Sequence, residues 1–232
     1  MENDTILLSV IIPVFNEART IGNVIERTKT VLKRLDFHYE IVVVDDFSKD
    51  ASVEIAKSQG VKVHSLETHM GKGYALRIGF LEAKGEIIAT IDSDGSHDPE
   101  ELPLLLAPII RDEADLVIGS RFLQQKAVPN RALNDIGVHL FNKLIKLFTG
   151  IDVSDSQSGY RVLRSRVLKN LHLRSIGYEI ESEMLVRVVQ NGFRVKEVPI
   201  TFEQRTYGKS RLDPMVDGFK IFLSIMRAYE QA

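Results

Sequence analysis

The chain has 232 residues, 44% of them hydrophobic, which suits one large domain or two small ones. Its 30 basic residues are offset by 32 acidic ones, giving a formal net charge of −2, so no overall basic field argues for nucleic-acid binding. The sequence contains no cysteine, which excludes disulfides, thiolate zinc sites and cysteine nucleophiles.

Short β-branched runs alternate with longer segments of helical periodicity through the first half of the chain. Such runs predict strands, and apolar residues three and four positions apart predict amphipathic helices. We place strands at residues 7–12, 41–44, 61–64, 87–91 and 116–118, and helices at residues 17–35, 51–59, 72–83 and 99–111, with Asp50 and Asp98 as N-caps. This alternation predicts an α/β fold, with a mostly parallel Rossmann-like sheet between two layers of helices.

The pattern changes after Gly119, where a polar loop over residues 120–131 leads into a more helical half. We place helices at residues 133–148, 181–190 and 213–230, and a strand at residues 194–200. Because no Pro/Gly/Ser-rich linker divides the chain, we expect one domain with a C-terminal extension.

The last predicted helix carries an apolar stripe made of Met215, Phe219, Phe222, Ile225, Met226 and Tyr229. The stripe predicts packing against the core, while Lys220 and Arg227 keep contact with a membrane surface open as an alternative. No run of about 18 apolar residues and no signal peptide are visible. We therefore expect a chain that is soluble or peripheral to a membrane and faces the cytosol.

Two carboxylates follow the predicted fourth strand, at Asp92 and Asp94. Acids at positions i and i+2 of an extended backbone point the same way, and open α/β sheets bind their ligands at the carboxyl edge of the strands. Two carboxylates there suit a divalent cation that also binds diphosphate oxygens. A solvated turn that caps the next helix is the plainer interpretation of the same residues.

Other strand ends carry polar residues as well. The first strand leads into Pro13-Val14-Phe15-Asn16-Glu17, the second into Asp45-Asp46, and the fifth into Gly119-Ser120-Arg121. Gly71-Lys72-Gly73 is no phosphate loop and no G-x-G-x-x-G follows the first strand, which counts against a kinase-like ATPase and a nicotinamide enzyme. We expect Lys72 to be solvated or only lightly engaged with a nucleotide.

These motifs, together with Asp155-Ser-Gln-Ser-Gly-Tyr-Arg161 and Arg205-x-x-Gly-x-Ser-Arg211, closely resemble those of family 2 glycosyltransferases of the GT-A fold. Within that family the chain looks most like the dolichyl-phosphate mannose synthases and the polyprenyl-phosphate hexosyltransferases. The resemblance spans nearly the whole chain. It implies one GT-A domain over residues 1–232, with a nucleotide-sugar-binding half (1–121), an acceptor half (122–212) and a C-terminal amphipathic helix (213–230).

The resemblance also implies roles for individual residues. The base and ribose of the nucleotide sugar would contact Pro13, Phe15, Glu17, Val44 and Asp46. Asp92, Ser93 and Asp94 would hold the ribose and diphosphate, and Mg²⁺ or Mn²⁺ would bind Asp92, Asp94 and Ser96. Arg121, Arg205 and Arg211 would clamp phosphates, with Arg131 on the acceptor side.

Two positions depart from the resemblance. Ser96 stands where the mannose synthases typically carry Gln, so His97 or water is an alternative third metal ligand. Arg211 stands where they typically carry Lys.

The expected reaction is a metal-dependent, inverting transfer of mannose or glucose from GDP-mannose or UDP-glucose to a dolichyl or polyprenyl phosphate. A phosphate acceptor is already anionic near neutral pH and needs no strong base, whereas a hydroxyl acceptor on a glycan would need one. Asp155 is the candidate for that base. Residues 179–183 include three glutamates that could contact sugar hydroxyls, although a solvated helix start is the simpler interpretation.

Two rivals from other classes remain, a nucleotidyltransferase and a catalytically silent binding module. Membrane contact would come from the last helix, from residues 126–131, or from a membrane partner protein.

Overall fold

The computed structural model describes residues 8–35, 38–123, 132–169, 171–202 and 213–230. Its strands are β1 (Leu8–Val14), β2 (Tyr39–Asp45), β3 (Lys62–Ser65), β4 (Ile87–Thr90), β5 (Leu116–Ser120), β6 (Arg161–Arg164) and β7 (Val195–Pro199). Its helices are α1 (Ile21–Arg34), α2 (Ser52–Ser58), α3 (Lys72–Glu82), α4 (Leu102–Ile110), α5 (Ala132–Thr149), α6 (Ser165–Leu168), α7 (Ile180–Gln190) and α8 (Val216–Glu230), with a 3₁₀ turn at Pro99–Glu101 before α4.

The strands form one seven-stranded sheet in the order β3-β2-β1-β4-β6-β5-β7. All neighbours run parallel except β6, which is antiparallel to both β4 and β5. The predicted α/β fold with a mostly parallel sheet is confirmed. Because β2 and β4 lie on opposite sides of β1, the chain reverses direction across the sheet there, which opens a crevice at the carboxyl ends of β1 and β4.

The sheet is buried on both faces. On one face Val10 and Ile12 of β1 pack with α1 and α4, and on the other Ile11 packs with α3, α5, α7 and α8. All seven residues of β1 are buried, as expected for a central parallel strand with period-two side chains. This rigid central strand fixes the position of the loop that follows it.

Strand β6 was missed in the sequence. It has only four residues and begins and ends with arginine, so it shows neither the alternation nor the apolar run of a strand. The Arg161 side chain is nevertheless buried, because it donates to the carbonyl oxygens of Ser156, Ser158 and Glu181 at 2.7–2.8 Å. A buried guanidinium satisfied by backbone carbonyls is invisible to a hydrophobic pattern.

The prediction that the stripe on the last helix packs in the core is wrong for most of its members. Met215, Phe219, Phe222 and Tyr229 are exposed, and only Ile225 of the stripe is fully buried. The core-facing residues of α8 are instead Asp217, Ile221, Ser224, Ile225 and Ala228. In the part of the chain that is described, no helix combines the length and the hydropathy needed to cross a membrane.

Candidate active site

A cavity of about 560 Å³ opens at the carboxyl ends of β1 and β4. It joins most of the predicted nucleotide-side residues and adds a wall from the segment before α7 and the start of α8. Its lining is Pro13, Val14, Phe15, Glu17, Asp46, His69, Met70, Gly71, Lys72, Ala75, Asp92, Ser93, Asp94, Ile176, Gly177, Tyr178, Glu179, Asp217 and Lys220.

One end of the cavity has the flat, polar character that suits a nucleoside. The rings of Phe15 and His69 stack with their centroids 4.2 Å apart. The carboxylate of Asp46 accepts hydrogen bonds from the backbone N–H groups of Met70 and Gly71 at 2.7 and 2.8 Å. These contacts fix Asp46 at the mouth of β2, where it can accept from a base or a ribose hydroxyl.

Of the other residues predicted to contact the nucleoside, Glu17 lines the cavity and Val44 does not. Glu17 lines the cavity, and its backbone N–H donates to the Ser52 hydroxyl at 2.8 Å. The side chain of Val44 is instead fully buried in a small core cluster with Val42 and Ala75. Val44 therefore supports the site from beneath.

The two acids after β4 are brought together in the cavity wall, as expected. Asp94 is 7% exposed, and its Oδ1 accepts from the backbone N–H and hydroxyl of Ser96 at 2.9 and 2.6 Å. The Asp92 Oδ1 lies 2.7 Å from the Lys72 ammonium. The Ser96 hydroxyl is thus directed at Asp94, so its first role is to orient that carboxylate.

Lys72 is the main site residue whose role was misjudged from the sequence. Its ammonium is mostly buried and lies 2.7 Å from Asp92 and 2.9 Å from Glu181. Burial lowers the pKa of Lys72, but the two carboxylates outweigh burial and the pKa is raised above its ordinary value. The expectation of a solvated or lightly engaged lysine is wrong, because the Gly71 and Gly73 positions allow α3 to begin in close contact with the backbone of residues 175–177.

The acidic run at the start of α7 is not a solvated helix start either. Glu179, Glu181 and Glu183 are 8%, 3% and 3% exposed. Glu183 accepts from the backbone N–H groups of Arg174 and Ser175 and from the Arg187 guanidinium. It holds the segment before α7 in place, while Glu179 lies in the cavity wall.

Arg121 is not part of the cavity lining, and its guanidinium is held by Asp155. The Nε and one terminal nitrogen of the guanidinium donate to the two Asp155 oxygens at 2.6 Å each, and the Arg121 backbone N–H donates at 3.1 Å. Asp155 is fully buried, and its backbone N–H donates to Glu197 at 2.9 Å. Burial raises the pKa of Glu197, although hydrogen bonds from Ser154 and Asp155 oppose that effect.

His97 lies behind the acids. Its ring is 2% exposed, packs against Tyr160 and Phe202, and places Nδ1 3.8 Å from Asp92. Burial lowers the pKa of His97, with Asp92 opposing and Arg121 reinforcing the shift. Neither ring nitrogen forms a hydrogen bond to the described residues.

Three predicted site residues, Arg131, Arg205 and Arg211, lie outside the described residues, so their roles stay predictions. The loop 126–131 falls outside them as well.

Within the described ranges, no group of three or more acidic and histidine side chains could hold a metal ion without other ligands. The donor set of Asp92 and Asp94 nevertheless fits Mg²⁺ or Mn²⁺. Magnesium commonly uses one or two carboxylates and takes its remaining ligands from water and substrate phosphates. A cation here would depend on the diphosphate for part of its coordination shell.

Solved structures share this fold. The crystal structure of glucosyl-3-phosphoglycerate synthase from Mycobacterium tuberculosis in complex with Mn²⁺, uridine-diphosphate and phosphoglyceric acid superposes with a TM-score of 0.79. It is 21% identical, and the match covers 96% of this chain and 78% of that one. This likeness shows that the chain has the GT-A fold.

Sequence relatives narrow the class. A dolichol-phosphate mannosyltransferase of Pyrococcus furiosus is 35% identical over 88% of this chain and 59% of its own length. A UDP-N-acetylglucosamine–dolichyl-phosphate N-acetylglucosaminyltransferase of Methanococcus voltae is 32% identical over 95% of each chain. The model of glycosyl transferase family 2 matches residues 9–171. The chain belongs to glycosyl transferase family 2, which confirms the resemblance seen in its motifs.

Proposed function

We propose that this glycosyltransferase moves a hexose, mannose or glucose, from GDP-mannose or UDP-glucose to a dolichyl or polyprenyl phosphate. The observation that carries the proposal is the convergence of Phe15, Asp46, Asp92 and Asp94 on one cavity at the carboxyl edge of the sheet. The cavity offers a stacking ring at one end and two carboxylates at the other, which are the groups that a nucleoside and a metal-bound diphosphate require. Relatives named for transfer to dolichyl phosphate support the choice of acceptor.

A divalent cation, Mg²⁺ or Mn²⁺, would be held by Asp92 and Asp94, with Ser96 orienting Asp94. Bound there, the cation would neutralise charge on the departing diphosphate. The Lys72 ammonium lies 2.7 Å from Asp92. It keeps that acid from repelling the incoming phosphates.

The pairing of Arg121 with Asp155 supports a phosphate acceptor. Both carboxylate oxygens of Asp155 accept hydrogen bonds from Arg121, so Asp155 serves here to orient a guanidinium. An oriented guanidinium suits phosphate oxygens. An acceptor phosphate is already ionised near neutral pH and needs relief from repulsion more than it needs a base.

Peripheral contact with the cytosolic face of a membrane completes the proposal. Helices α5 and α8 pack together, with Phe148 and Tyr229 stacked at 4.6 Å, and each exposes large apolar side chains to solvent. Exposed apolar surface of this extent commonly marks an interaction site. We treat residues 1–232 as one domain in which residues 213–230 supply part of that surface.

The rival acceptor is a hydroxyl on a glycan, which would leave Asp155 as the base. A transfer assay separates the phosphate acceptor from the glycan acceptor. Labelled GDP-mannose and labelled UDP-glucose are each incubated in Mn²⁺ with polyprenyl phosphate and with free glycans. We expect label in the lipid fraction with one donor. Label in free glycan alone would contradict the proposed acceptor, and absence of turnover with every donor would contradict the proposed function.

Asp155→Asn sharpens this test. If Asp155 orients Arg121, transfer to polyprenyl phosphate should fall by no more than about 10²-fold, because the guanidinium is misplaced but no proton transfer is lost. Loss of a general base would cost about 10²–10⁴-fold. Asp152→Asn, on an exposed acid of the same segment, is the matched control and should leave the rate unchanged.

A further inference from the structure

Two buried glutamates lie near Asp92, and the reaction proposed above does not use them. Glu179 lies in the cavity wall, 8% exposed, and Glu181 lies behind Lys72, 3% exposed. A carboxylate removed from water normally has its oxygens satisfied by hydrogen bonds.

Glu179 is held rigidly but is only half satisfied. Its Oε1 accepts from the backbone N–H groups of Ile176 and Gly177 at 3.1 and 3.0 Å. Its Oε2 is buried and accepts no hydrogen bond from the described residues. The close approach of Gly177, where an added Cβ would lie 2.7 Å from that oxygen, fixes the carboxylate in place.

Glu181 is tied to the catalytic acids through Lys72. The Lys72 ammonium lies 2.9 Å from the Glu181 Oε1 and 2.7 Å from the Asp92 Oδ1. The Glu181 Oε2 accepts no hydrogen bond from the residues the structure describes. Glu179, in the cavity wall, therefore has one oriented oxygen that lacks a hydrogen bond from the described residues, and Glu181 has another on the far side of Lys72 from Asp92.

We infer that Glu179 and Glu181 form a subsite for the hydroxyl groups of the transferred sugar, and that its negative charge selects an uncharged sugar over a uronate. This inference rests on the proposed function, since it places the sugar beside the diphosphate end of the cavity. Sugar hydroxyls are the donors that the two oxygens lack. A site built to accept from hydroxyls discriminates strongly against groups that cannot donate.

The charge balance around the subsite favours this selection. Lys72 is shared between Glu181 and Asp92, so its single positive charge does not neutralise Glu179 as well. Lys220 also lines the cavity, but it is half exposed and lies 3.2 Å from Asp217. A uronate carboxylate would therefore meet like charge in a site of low dielectric, where repulsion is stronger than in water.

Titration calorimetry of the full chain with Mg²⁺ tests the inference with matched ligands: UDP, UDP-glucose and UDP-glucuronate, or GDP, GDP-mannose and GDP-mannuronate if guanine is the base. We expect the uncharged sugar nucleotide to bind at least about tenfold more tightly than the uronate carrying the same nucleotide. Equal affinities, or preference for the uronate, would overturn the inference. The wild-type comparison suffices for this even if a variant fails to fold.

Two variants then test whether Glu179 and Glu181 cause the preference for the uncharged sugar. Glu179→Gln should reduce the ratio of the affinities for the two sugar nucleotides at least about threefold, while the affinity for UDP or GDP stays unchanged. The control is Glu26→Gln, on an exposed face of α1, which should change neither the ratio nor the nucleotide affinity. Retained discrimination in both Glu179→Gln and Glu181→Gln would overturn the residue assignment. Nucleotide binding without discrimination defeats this inference alone, whereas no metal-dependent nucleotide binding defeats it together with the proposed function.

Discussion

Gly159 shows how tightly a single position is specified in this site. An added Cβ there would lie 2.7 Å from the Lys72 ammonium and 2.9 Å from the Asp92 Oδ2. The backbone carbonyl of Gly159 also accepts from the Thr90 hydroxyl at 2.7 Å, which joins the residue to β4. Lys72 and Asp92 can meet only because this position has no side chain.

Gly159→Ala should separate Lys72 from Asp92 and weaken metal-dependent nucleotide binding about tenfold or more, since the added carbon displaces a polar pair that the diphosphate needs. Calorimetry with UDP and GDP in Mg²⁺ measures the effect. Gly137→Ala is the control, because a Cβ on that residue of α5 meets open space and alanine favours the helix. Unchanged binding in Gly159→Ala would mean that the contact between Lys72 and Asp92 is unimportant.

Helices α5 and α8 are where sequence pattern and structure diverge most. A 3.6-residue apolar period identifies one face of α8 but cannot say what covers it. The buried face is made by smaller residues such as Ser224 and Ala228, while Phe219 is 63% exposed. On α5, Leu140 and Leu147 are 63% and 77% exposed, so two neighbouring helices both present apolar stripes.

Replacing Leu140 and Phe219 together with serine should weaken binding to vesicles that contain anionic lipid about tenfold or more, because binding at a membrane surface scales with buried apolar area. Co-sedimentation measures the bound fraction. Leu81→Ser supplies the control, since Leu81 is 82% exposed and belongs to a different helix, α3. Equal losses in the two proteins would argue against a membrane role for α5 and α8.

At the scale of the whole molecule, Asp115 connects the segments next to three strands, β5, β6 and β7. Asp115 is buried directly before β5, and its carboxylate accepts hydrogen bonds from the Arg166 guanidinium at 2.6 Å and from the Arg194 backbone N–H and Nε at 3.0 and 3.1 Å. Burial raises the pKa of Asp115, but the hydrogen bonds from Arg194 and Arg166 outweigh it and leave the pKa well below its ordinary value.

A carboxyl group whose pKa is lower in the folded protein than in the unfolded chain stabilises the fold. The stabilisation is complete when the pH lies above the pKa of the unfolded chain, and it is lost as the pH falls through the pKa of the folded protein. Asp115→Ala should therefore lower the free energy of unfolding by about 1–2 kcal/mol at pH 7, because hydrogen bonds to charged groups are lost while the two half-exposed arginines stay solvated. The difference from wild type should shrink below about pH 4. Urea unfolding at several pH values tests this, and Asp152→Ala at an exposed ion pair should cost less than about 0.5 kcal/mol. A pH-independent difference would contradict the assigned cause.

The sequence predicts the parts of the molecule that apolar patterns stabilise, and it does not predict those that depend on distant polar contacts. Strands such as β1 and β2 were recognisable because both faces are apolar, and the acids Asp46, Asp92 and Asp94 followed from their places at strand ends. Lys72 and Glu181 were not predicted as partners, since residues 109 positions apart meet only because the start of α3 lies against the segment before α7. Arg161 was missed as a strand residue because backbone carbonyls, not apolar neighbours, stabilise its burial.

A thermal-shift panel of GDP-mannose, UDP-glucose and the free nucleotides, each with and without Mn²⁺, tests the central claim most directly. Ligand at about 100 times its dissociation constant should add roughly 2.7 kcal/mol of stability. We predict that one donor raises the melting temperature only when Mn²⁺ is present and that Asp92→Asn and Asp94→Asn abolish the shift. No shift with any donor, or the same shift without metal and in both variants, would contradict a metal-dependent nucleotide-sugar site at the end of β4.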